Sequence, residues 1–303
     1  MKHPDYYFVT SPHKVILFGE HSVVYGGRAI STAINLQSLT FFSERISLQS
    51  SAYIESAKRL VSFSKGQVNI ISPVNQGRGL GSSAVTVAST LKLLSNMKGN
   101  ILAEKSFNIE RDVQGVGSPI DTSSIIFGGT IAVNEGSEMP FFKTSFANTS
   151  WEFSRIRCEP LDLIIVDCGE RPKTAEIVLR VKAAFEKNPS TIEILKRIDY
   201  ITREAKKYLV RNDRYELGRL MNENHEQLRK LGLSTSTIEK VKKIGDKLAL
   251  GAKITGAGLG GFVIILYEKN KQREIIKEIS RLELGYYVVK SNAHPMTRHS
   301  LVP

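Results

Sequence analysis

The chain has 303 residues, 41% of them hydrophobic, which suits one large or two medium-sized domains with a substantial core. Its longest apolar run, 262–267, is far too short to span a bilayer, and no hydrophobic signal-peptide segment follows Met1. Two cysteines, Cys158 and Cys168, are too few for a disulfide framework or a structural zinc site. We therefore expect a cytoplasmic protein with free thiols.

The net charge is +12, because 42 Lys and Arg residues face 30 Asp and Glu residues. Nucleic-acid binding is one explanation of such a charge. Across 182–247, however, the basic residues alternate with glutamates and apolar residues at helical spacing, which is typical of solvent-exposed helix faces. No stripe of aromatic and basic side chains accompanies them, so a nucleic-acid partner is the less favoured interpretation.

The N-terminal half is predicted to be rich in strands. Runs of β-branched and aromatic residues between turn residues predict strands at 6–10, 15–18, 29–34, 39–42, 68–71 and 130–133. Apolar residues at helical spacing predict one helix at 83–97 and a shorter one at 103–113. Glycines and Pro119 then predict a loop at 114–119, followed by a strand-like run.

The pattern changes in the C-terminal half, where a strand at 161–166 precedes a long region of helical period. Helices are expected at 174–187, 190–210, 213–231, 235–249 and 273–282, and further strands at 253–255, 262–267 and 286–290. Strands dominate the first half and helices the second, so the sequence predicts an α+β fold in two lobes. We place the boundary so that the domains are 1–155 and 156–303.

The stretch from Gly77 to Ser83 alternates glycines with other residues and ends in two serines before the predicted helix. Glycine allows positive φ angles and lets backbone N–H groups come close to a ligand. A helix start adds unpaired N–H groups and the positive end of the helix dipole. Such an arrangement binds anions, and phosphate is the expected anion. On this stretch alone, a glycine-rich turn that merely starts a helix is the alternative.

Polar residues flank the second predicted strand: Lys14 precedes its apolar residues, and Glu20 and His21 follow them. Taken singly, such a lysine is usually a surface residue and such a histidine is usually structural. Their interest lies in their combination with acidic residues further along the chain.

Acidic residues stand on both sides of the loop at 114–119. Glu110 and Asp112 lie near the end of the preceding helix, and Asp121 follows the loop. Phosphoryl transfer from a nucleotide needs a metal held by carboxylate or hydroxyl oxygens, and a residue that orients or deprotonates the acceptor hydroxyl. These acids can take those roles, although a helix cap and surface acids would have the same composition.

A further glycine-rich segment, 255–261, lies between two predicted strands and permits close approach to a ligand or to another loop. A tight connection is the alternative. Together, the motifs resemble those of the GHMP kinases, the superfamily of galactokinase, homoserine kinase, mevalonate kinase and phosphomevalonate kinase. Residues 12–21 resemble the first motif of mevalonate kinases, residues 79–84 the second motif of the superfamily, and residues 253–261 its third.

Within the superfamily, the sequence looks most like the mevalonate kinases, because the first motif ends in Gly19, Glu20 and His21. The compact length and residues 114–123 look most like their archaeal branch. The resemblance implies a GHMP-kinase-like fold with a ribosomal-S5-like N-terminal domain, a ferredoxin-like C-terminal domain and an active site between them. It also implies transfer of the γ-phosphate of ATP to the 5-hydroxyl of mevalonate.

The resemblance also implies roles for individual residues. Asp121 would be the catalytic base, and Lys14 would stabilise its ionised form and the developing charge. Ser83 and Glu110 would bind Mg²⁺, and His21 would donate a hydrogen bond to the carboxylate or a hydroxyl of mevalonate. Mevalonate would contact Lys14, Glu20, His21, Asp121, Gly256, Ala257 and Gly258. The phosphates of ATP would lie against Gly77, Arg78, Gly79, Leu80, Gly81, Ser82, Ser83 and Ala84.

Two positions depart from the pattern of the family. Leu259 stands where the third motif usually has glycine, and the second motif is preceded by residues 76–78 instead of the usual proline. Neither departure removes a residue with a chemical role in this hypothesis.

Several other functions remain open. Within the superfamily they are phosphomevalonate kinase and a mevalonate 3-kinase, with diphosphomevalonate decarboxylase less favoured. A basic nucleic-acid-binding protein and an inactive relative are the alternatives from other classes. Lys14, Ser83, Glu110 and Asp121 occur together, which argues against an inactive relative. The expected partners are mevalonate and ATP, without nucleic acid or membrane, and a homodimer is left open.

Overall fold

The computed structural model describes residues 7–48, 50–75, 77, 79–136, 139–169 and 173–301. The strands in this part of the chain are β1 (Tyr7–Phe18), β2 (Ala29–Ser43), β3 (Gln67–Ile71), β4 (Thr130–Val133), β5 (Phe142–Phe146), β6 (Thr149–Ile156), β7 (Asp162–Asp167), β8 (Gly251–Thr255), β9 (Phe262–Leu266), β10 (Tyr286–Lys290) and β11 (Thr297–Ser300). They form two antiparallel sheets. The first has the order β11-β1-β2-β4-β6-β5, with β3 also paired to β2, and the second has the order β10-β7-β9-β8.

The helices in the described residues are α1 (Ala52–Leu60), α2 (Ser82–Leu94), α3 (Gly99–Gln114), α4 (Ile120–Phe127), α5 (Thr174–Lys187), α6 (Pro189–Arg211), α7 (Arg214–Lys230), α8 (Ser236–Leu248) and α9 (Gln272–Ser280). None of them is long and apolar enough to cross a membrane. Helix α2 is buried along nearly its whole length, because α1, α3, α4 and the first sheet surround it. The helix that follows the glycine-rich stretch is thus the centre of the first lobe.

Strands β7, β8 and β9 of the second sheet are buried on both faces, which explains their continuous apolar runs, whereas the edge strand β10 is largely exposed. Leu163 and Ile165 of β7 pack with Val15 and Leu17 of β1, whereas Ile164 belongs to a separate core beneath the helices of the second lobe. The order β10-β7-β9-β8, with helices between β7 and β8 and between β9 and β10, is the ferredoxin-like arrangement. The predicted two-lobed α+β fold is therefore confirmed.

Several predicted elements have different limits in the structure. The predicted break at 11–14 is wrong, because β1 continues through it with a bulge between Pro12 and His13, where the missing N–H of proline is tolerated. Asp121 lies in the first turn of helix α4 instead of preceding a strand. Its neighbours are β-branched and apolar, and a short run of that kind does not distinguish a buried strand from a buried helix.

The C-terminal helices agree with their predicted limits within a few residues, but α1, β5, β6 and β11 were not predicted. Strand β11 pairs with β1, so residues 297–300 belong to the first sheet although they follow the whole second sheet in sequence. The division into domains 1–155 and 156–303 stays a prediction.

Candidate active site

Lys14 and Asp121 meet in an ion pair between the first sheet and helix α4. Nζ of Lys14 lies 2.8 Å from Oδ1 of Asp121, and the two side chains are 2% and 27% exposed. Lys14 stands on a buried stretch of β1, while Asp121 lies in the first turn of α4, where the helix dipole favours an acidic residue. The pair therefore has a buried, fixed cation and a carboxylate that can be reached from solvent.

The glycine-rich stretch forms a tight loop at the start of α2. Gly77, Gly79 and Gly81 have φ angles of 78°, 108° and 78°, which a residue with a side chain rarely adopts. Gly81 is the N-cap of α2 and offers no capping side chain, so the first N–H groups of the helix are available to an anion. Leu80 and Ala84 are buried in the cores and can offer a ligand only their backbone. Arg78 lies outside the described residues.

A buried histidine holds this loop against β1. His13 Nδ1 donates a hydrogen bond to the carbonyl oxygen of Leu80 (3.1 Å), and its Nε2 accepts from the hydroxyl of Ser38 (2.8 Å). The backbone N–H of Lys14 donates to the same carbonyl (3.3 Å). Burial lowers the pKa of His13 to about 4, so its ring is neutral near pH 7. The loop and the lysine are thus fixed relative to one another.

Ser83, Glu110 and Gln114 form a hydrogen-bonded cluster between α2 and α3. The hydroxyl of Ser83 donates to Oε1 of Glu110 (2.5 Å), and Nε2 of Gln114 donates to both oxygens (3.2 Å each). Burial, together with the negative charge of Asp121, raises the pKa of Glu110 to about 7. Asp112 is 67% exposed and pairs with Arg111, so it stands apart from this cluster.

The third glycine-rich segment faces the first glycine loop. A Cβ placed on Gly256 would lie 3.5 Å from the carbonyl oxygen of Gly79, so the two backbones are close neighbours. Gly258 instead packs against Leu233, where a Cβ would come within 2.8 Å. Leu259 has a φ of 58°, which is the left-handed conformation that a glycine adopts without strain, and its N–H donates to the carbonyl oxygen of Leu233 (2.7 Å).

His21 is buried beside this segment. Its Nε2 donates a hydrogen bond to the carbonyl oxygen of Ala257 (3.0 Å), and burial lowers the pKa of the ring to about 4. The neutral ring then has no proton on Nδ1. The predicted hydrogen bond from His21 to a substrate stays a prediction, and in this tautomer the remaining ring nitrogen is an acceptor.

Glu20 does not stand free in the pocket. It forms a fully buried ion pair with Lys253 of β8, and Nδ2 of Asn224 lies 3.4 Å from its Oε2. Burial raises the pKa of Glu20 and lowers that of Lys253, while their mutual attraction opposes both shifts. This pair joins the first motif to the third, and it was missed in the sequence because nothing in the pattern indicates which residue faces Glu20.

One pocket between the lobes collects most of the predicted site. Its lining includes Lys14, Glu20, His21, Gly79, Glu110, Asp121, Gly256 and Ala257. Ser82, Ser83 and Gly258 lie outside the lining, although Ser83 touches Glu110. Within the described residues, no group of three or more His, Cys, Asp or Glu side chains forms a ready-made metal site.

Comparison with known proteins agrees with this geometry. The family model described as "GHMP kinases N terminal domain" matches residues 49–129, and the one described as "GHMP kinases C terminal" matches residues 205–282. The mevalonate kinase of Methanocaldococcus jannaschii is 31% identical, over 92% of this chain and 97% of that protein. The chain belongs to the mevalonate kinase family. The mevalonate kinase of Archaeoglobus fulgidus is 30% identical, over 87% of this chain and 93% of its own length.

Solved structures of the mevalonate kinase family share the whole fold. The crystal structure of the Methanococcus jannaschii mevalonate kinase superposes with a TM-score of 0.78 at 30% identity, covering 94% of this chain and 98% of that one. The L. major mevalonate kinase in complex with R-mevalonate has the same TM-score at 23% identity, over 94% of this chain and 96% of its own, which shows the fold alone. The resemblance seen in the three motifs is thus confirmed.

Proposed function

We propose that this protein transfers the γ-phosphoryl group of ATP to the 5-hydroxyl of mevalonate. The observation that carries the proposal is the contact of Lys14 with Asp121 (2.8 Å) in a pocket that also includes Gly79 of the glycine loop. Phosphoryl transfer requires a loop that binds the phosphates of the donor, a base for the acceptor hydroxyl and a fixed cation. The membership of the mevalonate kinase family supports mevalonate as the acceptor.

In this mechanism, the loop and the start of α2 position the phosphates of ATP through backbone N–H groups. Asp121 accepts the proton of the attacking hydroxyl, because its carboxylate is the exposed member of its ion pair. Lys14 remains in place and stabilises the negative charge that develops on the transferred group. Gly81 permits this arrangement, since a Cβ there would lie 3.1 Å from Cγ of Lys14.

Ser83 and Glu110 are the residues that would hold Mg²⁺. Their oxygens are 2.5 Å apart, and hard oxygen ligands of this kind suit Mg²⁺, which completes its shell with phosphate oxygens and water. When bound, the ion would neutralise part of the negative charge of the phosphates of ATP. Gln114 would keep both ligands oriented through its amide N–H groups.

The direct test measures ADP release from ATP and Mg²⁺ with a panel of acceptors: mevalonate, 5-phosphomevalonate, homoserine and galactose. We expect turnover with mevalonate and a product whose phosphate is on the 5-oxygen, as judged by ³¹P–¹H NMR correlation. Preferential turnover of 5-phosphomevalonate, or a product phosphorylated on the tertiary 3-oxygen, would replace the proposal by one of the related kinases. Salt-dependent RNA binding without turnover of any acceptor would contradict it altogether.

A further inference from the structure

We propose that His13 is a positioning residue for phosphoryl transfer, because it turns the peptide unit between Leu80 and Gly81 so that its N–H group faces the phosphates of ATP. This inference rests on the nucleotide site of the proposed function. A backbone that binds phosphate must present its N–H groups to the anion and keep its carbonyl oxygens turned away. His13 touches the glycine loop at the point where that choice is made.

The contacts of His13 determine which ring nitrogen carries the proton. Nδ1 lies 3.1 Å from the carbonyl oxygen of Leu80, which can only accept a hydrogen bond, so Nδ1 is the donor. Because the buried ring is neutral near pH 7, Nε2 then has no proton and accepts from the hydroxyl of Ser38 on β2 (2.8 Å). The ring is thus a donor toward the loop and an acceptor toward the sheet.

The carbonyl group of Leu80 points at strand β1. Besides the ring of His13, the backbone N–H of Lys14 donates to it (3.3 Å). In a trans peptide unit, the C=O and the N–H that follows it point in opposite directions, and the described residues contain no cis peptide bond. The N–H of Gly81 therefore points away from β1. Gly81 is the N-cap of α2, where unpaired N–H groups bind anions.

The loop itself does not enforce this orientation. Gly81 has a φ of 78°, and glycine adopts positive and negative φ angles about equally readily. Rotation of the peptide unit between Leu80 and Gly81 would turn the carbonyl oxygen toward the phosphates, which it would repel. The hydrogen bonds from His13 and Lys14 oppose this rotation, and the bond from His13 is the shorter of the two (3.1 against 3.3 Å).

The ring of His13 also contacts the beginning of the connection between β3 and α2. The hydroxyl oxygen of Ser72, the residue after β3, lies 3.3 Å from Nε2, and it bonds to the C=O and the N–H of Val74 (2.9 and 3.1 Å). The bulge in β1 between Pro12 and His13 directly precedes the ring, and bulges often redirect a side chain next to an active site. His13 thus holds the connection near both of its ends.

This arrangement links the phosphate donor to the catalytic pair. His13 and Lys14 are neighbours in β1, and a Cβ placed on Gly81 would lie 3.1 Å from Cγ of Lys14. A displaced loop would therefore change the position of the phosphates relative to Lys14 and Asp121. The side chain of His13 is 0% exposed, so it acts on ATP through the peptide unit and not by contact.

The experiment measures the dissociation constant of the non-hydrolysable ATP analogue AMPPNP with Mg²⁺ by calorimetry, without mevalonate. It compares the wild-type enzyme with His13→Gln and His13→Asn. The amide of asparagine places an N–H group where Nδ1 stands, whereas the amide of glutamine reaches the position of Nε2. We expect His13→Gln to raise the constant about 10-fold, because the donor to Leu80 is lost, and His13→Asn to raise it at most about 2-fold.

Stability and nucleotide affinity should separate in these two variants. Each keeps one of the two hydrogen bonds of the ring, so both should lose a similar free energy of unfolding in urea, although only His13→Gln binds AMPPNP weakly. The KM for mevalonate at saturating ATP should not change in either variant. The affinity for adenosine, which carries no phosphate, should also stay constant in an NMR titration.

His225→Gln is the matched control, because His225 is equally buried but lies on α7, outside the pocket lining, with Nε2 3.1 Å from Oε1 of Glu239. This variant should lose stability and bind AMPPNP as the wild type does. An unaltered constant in His13→Gln, equal losses in His13→Asn or in His225→Gln, or weaker binding of adenosine would each overturn the inference.

Ser38→Ala provides the same test if His13→Gln fails to fold. It removes the hydroxyl that orients the ring of His13 and should raise the AMPPNP constant about 3-fold. An unchanged constant in Ser38→Ala would then overturn the inference. A wild-type enzyme that binds AMPPNP but does not phosphorylate mevalonate would instead refute the proposed function alone.

Discussion

Two lysine–carboxylate pairs lie at opposite ends of the first motif, and they differ in exposure. In the pair of Lys14 and Asp121, the carboxylate is 27% exposed and faces the pocket. In the pair of Glu20 and Lys253, both side chains are completely buried. The same two chemical groups therefore occur once with a carboxylate that is partly exposed to solvent and once with both side chains fully buried.

The difference in exposure indicates different roles for the two pairs. The open pair, Lys14 and Asp121, can take up a proton from a substrate, and its carboxylate is stabilised by a buried lysine. The sealed pair, Glu20 and Lys253, connects β8 to the end of the first motif. Nearby, the hydroxyl of Thr255 accepts a hydrogen bond from the N–H of Ile16 and donates one to its C=O (3.0 Å each). We infer that removing one member of the open pair mainly affects turnover, whereas removing one member of the sealed pair mainly affects stability.

The largest expected effect is on the open pair. Asp121→Asn should lower kcat by about 10²–10⁴-fold, because an amide cannot act as the general base. Its melting temperature and its affinity for ATP should stay close to those of the wild type, since the side chain is partly exposed. Single-turnover kinetics, with nucleotide binding followed by fluorescence, measure both quantities. Near-normal turnover in this variant would remove Asp121 from the mechanism.

Lys253→Met tests the sealed pair. It leaves the carboxyl group of Glu20 buried without its cation, and we expect the free energy of unfolding to fall by about 3–5 kcal/mol. Urea unfolding followed by circular dichroism gives this value. Lys14→Met is the comparison, and it should cost at most about 1 kcal/mol because Asp121 can be solvated.

A second substitution isolates the contribution of the buried charge in Lys253→Met. Combining it with Glu20→Leu replaces the ion pair by apolar side chains and should recover most of the lost stability. No recovery in the double variant would mean that packing, and not the unpaired carboxyl group, accounts for the effect.

The buried neutral histidines make the stability of the folded protein sensitive to acid. The pKa of His13 is about 4 in the folded protein and 6.5 in the unfolded chain. Between these values the unfolded chain binds a proton that the folded protein does not, so stability is complete above pH 6.5 and decreases as the pH falls toward 4. The loss should be about 3 kcal/mol for this residue. In urea unfolding between pH 7 and 4.5, a His13→Gln variant should show a shallower decrease than the wild type, and an equal slope would contradict the prediction.

The smallest expected effect concerns Glu110. Glu110→Gln should raise the Mg²⁺ concentration needed for half-maximal activity about 10-fold, because a charged metal ligand becomes neutral. Glu104→Gln is the control, since Glu104 is an exposed acid on the same helix. A Mg²⁺ titration at saturating ATP and mevalonate compares them. An unchanged requirement in Glu110→Gln would move the metal ligand elsewhere.

The residues of this site that lie in sequence motifs could be predicted from the sequence alone. They are the glycine loop, Lys14 and Asp121, because the spacing of the glycines and the charged residues near them can be read directly from the sequence. The family membership followed from the order of three such motifs. The role of His21 stays a prediction. The sequence does not indicate its hydrogen bond with the carbonyl of Ala257, which is 236 residues away in the chain.

Other features could not be predicted because they depend on tertiary contacts. Lys253 has no local signal that it is buried, since an isolated lysine is normally exposed. Arg111 next to Asp112 has the composition of an ordinary exposed helix face, and the sequence does not indicate that its guanidinium stacks on Phe146 of β5. Strand β11 is a short polar segment whose pairing with β1 follows from the geometry of the whole first sheet.

The position of β11 also has a consequence for biosynthesis. Thr297–Ser300 pair with Tyr7–Thr10, so strand β1 keeps an unpaired backbone edge until residues 297–300 have left the ribosome. An exposed strand edge is a template for aggregation, and nascent chains are normally protected by early completion of their N-terminal domain. Here, the whole second sheet must be synthesised before the first sheet can close. The lobe that is synthesised first is therefore the lobe whose sheet is completed last.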